Sequence, residues 1–255
     1  MKRVKFPDGR LMYGDCRQHM AAIPTGKIDL VFADPPFNIR YSYDEYKDDK
    51  SYLEYVDWTN NWVWWVSKLL KPRGSMVVAI GDEYAAEVKI ALDRCLYFRN
   101  WIVWKYSFGV YCQKKFGRDH THLLYYTKDR KKFTFNADAI RVPSDRLLKY
   151  EDKRADPRGR VPGDVWEFPR VCGTFKERNE AGHKCQMPEA LLERVVKALS
   201  DEGDLVYDPF AGTGTTLAVA RKLGRRWLGS ELSANYCAGI RRRLRTIPVI
   251  LESKP

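Results

Sequence analysis

Two stretches of the chain carry residues whose types and order can do chemistry. The first is Asp34-Pro35-Pro36-Phe37, directly after the apolar run Ile28-Asp29-Leu30-Val31-Phe32-Ala33. Consecutive prolines cannot continue a central ladder, so the chain must turn out at the strand's carboxyl end. In open α/β sheets that is the end where ligands bind. The turn offers a carboxylate, a proline-fixed carbonyl and an aromatic ring together, a set that suits an exocyclic amino group on a flat base. Such a nitrogen is a poor nucleophile because its lone pair is delocalised into the ring. Asp34 and the Pro35 carbonyl can each accept one of its N–H bonds and aim the lone pair at an electrophile, by positioning and electrostatics. Phe37 can stack on the base and return about 1–3 kcal/mol of the few kcal/mol that extruding it costs. Taken alone, the motif is equally an ordinary turn after a strand.

The second stretch is Asp208-Pro209-Phe210-Ala211-Gly212-Thr213-Gly214-Thr215-Thr216, after Gly203-Asp204-Leu205-Val206-Tyr207 and before a helical pattern. Gly212 and Gly214 permit positive φ and close approach of a ligand. Position 217 is Leu, so the third glycine of the dinucleotide fingerprint is missing, and no Gly-Lys-Ser/Thr follows as in a P-loop. An uncharged nucleoside fits better than a phosphate cofactor. Glu231, at the end of Arg226-Trp227-Leu228-Gly229-Ser230, can accept hydrogen bonds from both ribose hydroxyls.

The elements that must position these motifs read as an α/β alternation. The patterns predict strands over 10–14, 28–33, 75–80, 100–105, 122–127, 204–207 and 226–230. They predict helices over 51–70, 83–92, 188–199, 215–223 and 234–244. The first helix carries Trp58, Trp62, Trp64 and Trp65, more than one narrow stripe can bury. Between about Lys132 and Cys185 the pattern fades into Pro, Gly and recurring basic residues, a loop-rich insertion. The chain has 255 residues, enough for one large domain with an inserted region. Lys+Arg is 45 against Asp+Glu 33, a net charge of +12 that argues for a polyanionic partner. The 6 cysteines are scattered without a Cys-x-x-Cys pair, which argues against a disulfide frame or zinc site. His120 and His122 form a His-x-His pair with no evident further ligand, so no metal is expected. No apolar run approaches the length of a membrane span, and a cytoplasmic location is the expectation.

The two motifs together resemble the S-adenosylmethionine-dependent DNA amino-methyltransferases, in the group whose Asp-Pro-Pro-Tyr/Phe motif precedes the cofactor loop. The resemblance covers nearly the whole chain. It implies a doubly wound, mostly parallel seven-stranded sheet with an inserted target-recognition region. It divides the chain into a catalytic half (1–132), the insertion (133–182) and a cofactor-binding half (183–255). Tyr13-Gly14-Asp15-Cys16 looks like the segment where an acidic residue reaches the cofactor adenosine. His183-Lys184-Cys185-Gln186-Met187-Pro188 is similar to the segment preceding the cofactor loop, with departures at Lys184, Cys185 and Met187. The implied cofactor residues are Asp15, Cys16, Asp34, Lys184, Gln186, Asp208, Pro209, Phe210, Ala211, Gly212, Gly214, Thr215, Glu231 and Leu232. The implied catalytic set is Asp34, Pro35, Pro36 and Phe37.

The implied partner is double-stranded DNA, contacted by Arg40, Tyr41, Lys114, Lys115, Arg118, Arg170, Lys176 and Arg178. Tyr41, Tyr43 and Tyr46, with Arg40 and Lys47, read either as a loop that folds over a flipped base or fills the gap it leaves, or as a plain surface loop. Asp at position 34, where cytosine-N4 enzymes typically carry Ser, favours adenine N6. Cytosine N4 is the alternative, and a catalytically inactive DNA-binding remnant a third. Cytosine C5 chemistry is argued against because no Pro-Cys pair occurs. A homodimer and a cognate restriction endonuclease are further partners left open.

Overall fold

The computed structural model describes residues 3–107, 112–171 and 185–250. Its strands are β1 (Arg3–Phe6), β2 (Gly9–Tyr13), β3 (Ile28–Ala33), β4 (Leu70–Ile80), β5 (Tyr97–Lys105), β6 (His120–Thr127), β7 (Val165–Glu167), β8 (Leu205–Asp208) and β9 (Arg226–Glu231). Its helices are α1 (Cys16–Ala21), α2 (Tyr52–Leu69), α3 (Ala85–Asp93), α4 (Asp145–Leu148), α5 (Glu189–Leu199), α6 (Thr215–Lys222) and α7 (Ala234–Arg245). The strands make one 9-stranded sheet in the order β1-β2-β9-β8-β3-β4-β6-β5-β7. β2, β9, β8, β3 and β4 run parallel, and β7 is parallel to β5. Only β1 and β6 oppose the rest.

The seven strands expected from sequence form the contiguous block from β2 to β5 in this sheet. The count is corrected to nine by β1 and β7, one on each edge. β1 alternates basic and apolar residues over only four positions, and β7 has three and lies inside the Pro/Gly-rich stretch. β4 also begins earlier than expected, passing through Pro72 and Gly74. The register of β3 against β4 slips between Ile28 and Leu30, so the ladder is interrupted near the proline, which lacks an N–H to donate.

Strand alternation builds a core on each face of the sheet. Leu30, Phe32, Val77, Ala79 and Leu123 pack under α5, α6 and α7 with Leu192, Val195, Leu217 and Ile240. Val31, Ala33, Met76, Val78 and Leu124 pack under α1, α2 and α3 with Met20, Trp62, Val66, Val88 and Leu92. Each fully buried aliphatic side chain stabilises the fold by about 1.5–3 kcal/mol. α2 starts where Ser51 and Glu54 close a capping box. Of its tryptophans, Trp62 is fully buried and Trp58 and Trp65 pack on the core, whereas Trp64 stays exposed beneath Lys68.

The stretch from 133 to 171 is tied to the sheet rather than separate from it. Asn136 donates to the carbonyls of Lys197 and Ser200 and to Asp201, Ile140 and Trp166 join the core, and β7 extends the sheet. Several of its basic residues are paired locally: Arg141 with Asp138, Arg146 and Arg154 with Asp152, and Arg158 with Asp156. The crossover from β8 to β9 uses α6 on one face, and that from β3 to β4 uses α2 on the other. A crevice therefore opens between the carboxyl ends of β8 and β3, the topological switch point.

Candidate active site

Both motifs leave the sheet at that switch point. Leu30 pairs with Val206 and Val31 with Tyr207, so the turn after β3 and the loop after β8 are neighbours although the sequence separates them widely. Together they line one cleft of about 960 Å³. Asp34, Pro36 and Phe37 open on it from one side, and Asp208, Pro209, Phe210, Ala211, Gly212 and Thr215 from the other. Of the other residues expected at a cofactor, Asp15, Cys16, Gln186, Glu231 and Leu232 line the same cleft, as do Tyr41, Arg118 and Arg170.

The Asp34 turn is held from behind. The Tyr55 hydroxyl, on buried α2, donates to the Pro36 carbonyl at 2.8 Å. Asn38, at φ 57, donates from its amide to Tyr84 Oη and to the Lys50 carbonyl, both at 2.9 Å. The buried Asp48 carboxylate accepts the N–H groups of Asn38, Ile39 and Tyr41. Phe37 lies against Gly81, at the end of β4: a Cβ there would meet the ring at 3.2 Å. Among the described residues, no group donates a hydrogen bond to the Asp34 carboxylate. Burial, reinforced by the charge of Asp208, raises its pKa to about 7.

The cofactor side has its own anchors. Asp208 Oδ1 accepts the Phe210 N–H at 2.9 Å; burial raises this carboxyl to about 6, with hydrogen bonds from Thr216 and Phe210 opposing the rise. Glu231 accepts the Gly212 N–H on one oxygen and the Ser233 N–H on the other, each at 2.8 Å. Burial raises it to about 7 against those two bonds. A further, weaker hydrogen bond comes from the Leu232 N–H, and the roughly four acceptor sites of a carboxylate leave capacity beyond these bonds. Gly212 has φ 51, the left-handed region. Asp15 caps α1 and is gripped by Arg17; burial alone would raise its carboxyl, and the Arg17 hydrogen bonds outweigh that and hold it below the usual range.

Some expected residues sit elsewhere. Pro35 is buried behind the turn and does not line the cleft. Gly214, at φ 73, starts α6 and faces Ile240 of α7, so its missing Cβ makes room for helix packing rather than for a ligand. Arg40, Lys114 and Lys115 are exposed and off the cleft wall. Lys176, Arg178 and Lys184 lie outside the described residues. The arginine-rich end of α7 is partly structural, since Arg243 is tied to Glu189, the Thr213 carbonyl and Thr215. The His120 and His122 rings meet edge to face with centroids 5.0 Å apart, with Trp101 against His122.

Trp58, Trp104 and Tyr106 also line the cleft and were not expected there from sequence. Trp58 packs on Phe210 at 5.6 Å, joining α2 to the cofactor loop. Its spacing from Tyr55 and Trp62 is that of any buried helical stripe, so no sequence signal separates wall from core. The tyrosine loop is clamped. Tyr41 and Tyr43 pack at 4.8 Å, Tyr43 and Tyr46 at 6.0 Å, and Tyr46 on Trp58 at 6.4 Å. Asp44 and Glu45 accept hydrogen bonds from Ser233, Asn235 and the Ala234 N–H at the start of α7.

A parallel sheet with its ligand cleft at the switch point, a carboxylate turn on one side and a glycine loop on the other, defines a class of nucleoside-handling transferase folds. Residues 28–242 match the DNA methylase family of N6-adenine and N4-cytosine enzymes, and the chain belongs to it. It is 36% identical over 245 residues to the DNA adenine methyltransferase YhdJ of Escherichia coli (strain K12), covering 91% of this chain and 81% of that one. Its fold is similar to the PvuII DNA methyltransferase (cytosine-N4-specific), with TM-score 0.74 and 20% identity over 98% of this chain and 89% of that one. It is also similar to M1.HpyAVI, solved as a SAM complex, with TM-score 0.67 and 19% identity over 92% and 98% of the two chains. The chain is thus a DNA methyltransferase. Among the described residues no helix is long and apolar enough to cross a membrane.

Proposed function

We propose that this protein transfers a methyl group from S-adenosylmethionine to the N6 amino group of adenine in double-stranded DNA, after the base is flipped into the cleft. The observation that carries this reading is the Asp34 carboxylate. It opens on the cleft shared with Gly212 and Glu231, and no described group donates to it. An acceptor left unused in a protected site awaits a donor from a ligand.

The cleft residues fit the cofactor. Glu231 has acceptor capacity for ribose hydroxyls, and the positive φ of Gly212 lets backbone approach a ligand. Asp34, Asp208 and Glu231 make the cleft acidic, suited to a positively charged methyl donor. Its volume of about 960 Å³ lies at the upper end for ligand pockets, leaving space beside the cofactor for a base. When bound, the cofactor supplies an electrophilic methyl group. Asp34 takes an amino N–H and orients the nitrogen lone pair. Phe37 stacks on the base. The Tyr55 bond to the Pro36 carbonyl fixes the turn and with it the direction in which Asp34 faces the cleft. Asp34 must be ionised to serve as a pure acceptor.

Adenine is favoured over cytosine by the carboxylate at position 34 and by the likeness to YhdJ. The reading of 133–182 as the target-recognition region rests on its basic residues and on Arg170, whose guanidinium lies 5.0 Å from the Tyr106 ring at the cleft. Arginine reads guanine edges bidentately. Incubating bacterial genomic DNA with the protein and S-adenosylmethionine, followed by mass spectrometry of the nucleosides, tests the reading. N6-methyladenine is the expected product. N4-methylcytosine transfers the mechanism to the other base, and no methylated nucleoside refutes it.

A further inference from the structure

Phe116 is 99% exposed, more than any other large apolar side chain among the described residues. It sits in Lys114-Lys115-Phe116-Gly117-Arg118, on the connection from β5 to β6. That connection lies at the cleft end of the sheet: Tyr106 on its outgoing arm and Arg118, His120 and Thr121 on its returning arm all line the cleft. Arg118 bonds Asp82 at 2.7 Å and Glu83 at 2.5 Å, which pins the returning arm beside Gly81, where Phe37 packs. Two residues of chain reach at most about 7 Å, so Phe116 stands at the rim of the wall that carries Phe37. Lys114 and Lys115 are exposed, and neither has an acidic partner among the described residues. The exposed aromatic is thus flanked by free positive charge, complementary to a polyanion.

Extruding a base leaves a gap in the duplex stack, and apolar side chains inserted between base steps are a recurring way to fill such gaps. The tyrosine loop, expected from sequence as a candidate for this, is unavailable because it lines the cleft and is clamped to Asp48 and to the start of α7. We infer that Phe116 enters the DNA stack at the position the target base vacates, with Lys114 and Lys115 on the flanking phosphates. This rests on the reading of the cleft as the site of an extruded base.

The test uses the full chain and a duplex oligonucleotide carrying the site located by sequencing methylated DNA. Turnover is measured on that duplex and on one whose base opposite the target is replaced by an abasic site, which lowers the cost of extrusion. Phe116→Ala is expected to lose at least tenfold in turnover on the intact duplex. On the abasic-paired duplex it should recover to within about threefold of the unaltered protein, with cofactor affinity unchanged on both. Phe116→Trp should retain activity. The double substitution Lys114→Ala and Lys115→Ala should lower the slope of log affinity against log salt by about 1–2. Equal turnover of Phe116→Ala and the unaltered protein on the intact duplex overturns the inference, and so does an equal loss on both duplexes. If the unaltered protein methylates neither duplex nor genomic DNA, the reading of the cleft fails first, and the inference falls with it.

Discussion

The proposed chemistry converges on one carboxylate, Asp34, with no donor among the described residues, and on two neighbours, Asp208 and Glu231, that share its burial. Asp34→Ala should abolish methyl transfer while cofactor affinity stays within about threefold, measured by single-turnover assay and equilibrium binding. Equal loss of both would remove Asp34 from its assigned role. Because burial and Asp208 hold Asp34 near 7, the ionised fraction grows as pH rises from 6 to 8. The single-turnover rate should rise across that interval. Asp208 and Glu231 titrate close by, so the control is Asp34→Asn, which keeps an acceptor oxygen but has no proton to lose; its residual rate should be flat over the same range. Tyr55→Phe removes one hydroxyl from a fully buried ring and frees the Pro36 carbonyl. It should cost about 1 kcal/mol of stability and lower turnover roughly tenfold, with KM for the cofactor unchanged. A purely structural Tyr55 would shift melting temperature and leave turnover alone.

Elements reach the cleft in position because buried polar ties lock them to one another. Asp8, between β1 and β2, is 2% exposed and accepts from Arg221 of α6 and from the Trp227 indole of β9 at 2.8 Å. Arg221 also donates to the carbonyl of Leu244 in α7. One ionic cluster therefore joins the edge hairpin to the layer behind the cofactor loop. Asp8→Ala leaves a buried guanidinium without its counter-charge and should destabilise the protein by about 3–5 kcal/mol in denaturant unfolding. Replacing Asp152, whose partners Arg146 and Arg154 are exposed, should shift the unfolding midpoint far less. The contrast tests whether burial, rather than the number of ion pairs, governs the difference.

At the scale of the whole molecule, gathering three carboxylates in one cleft has a cost that depends on pH. Asp34, Asp208 and Glu231 all have folded-state pKa values above their unfolded ones. Between about pH 4 and 7 the folded chain therefore holds more protons than the unfolded chain, and this contribution to stability falls as pH rises through that window. A positively charged cofactor offsets the repulsion, so its stabilising shift in melting temperature should be larger at pH 8 than at pH 5.5. An equal shift at both would place the cofactor's charge away from these groups. The net charge of +12 acts on the same scale: DNA affinity should fall steeply with salt, and a flat response would contradict a DNA-bound state.

Much of this was readable in the chain alone, for local reasons. An apolar strand followed by prolines must turn out of a sheet, and a glycine loop between strand and helix must bend, whatever surrounds them. Hence β3, β8, the Asp34 turn and the Gly212 loop were legible, as were the long helices with their apolar periodicity. What adjacency decides was not legible. The pairing of β3 with β8, the Tyr55 bond to Pro36, the Ile240 contact that accounts for Gly214, and the exposure of Phe116 each depend on partners far away in sequence. Side-chain identity sets what a residue can donate, accept or bury, but only packing decides which neighbour receives it and which residue is left facing solvent.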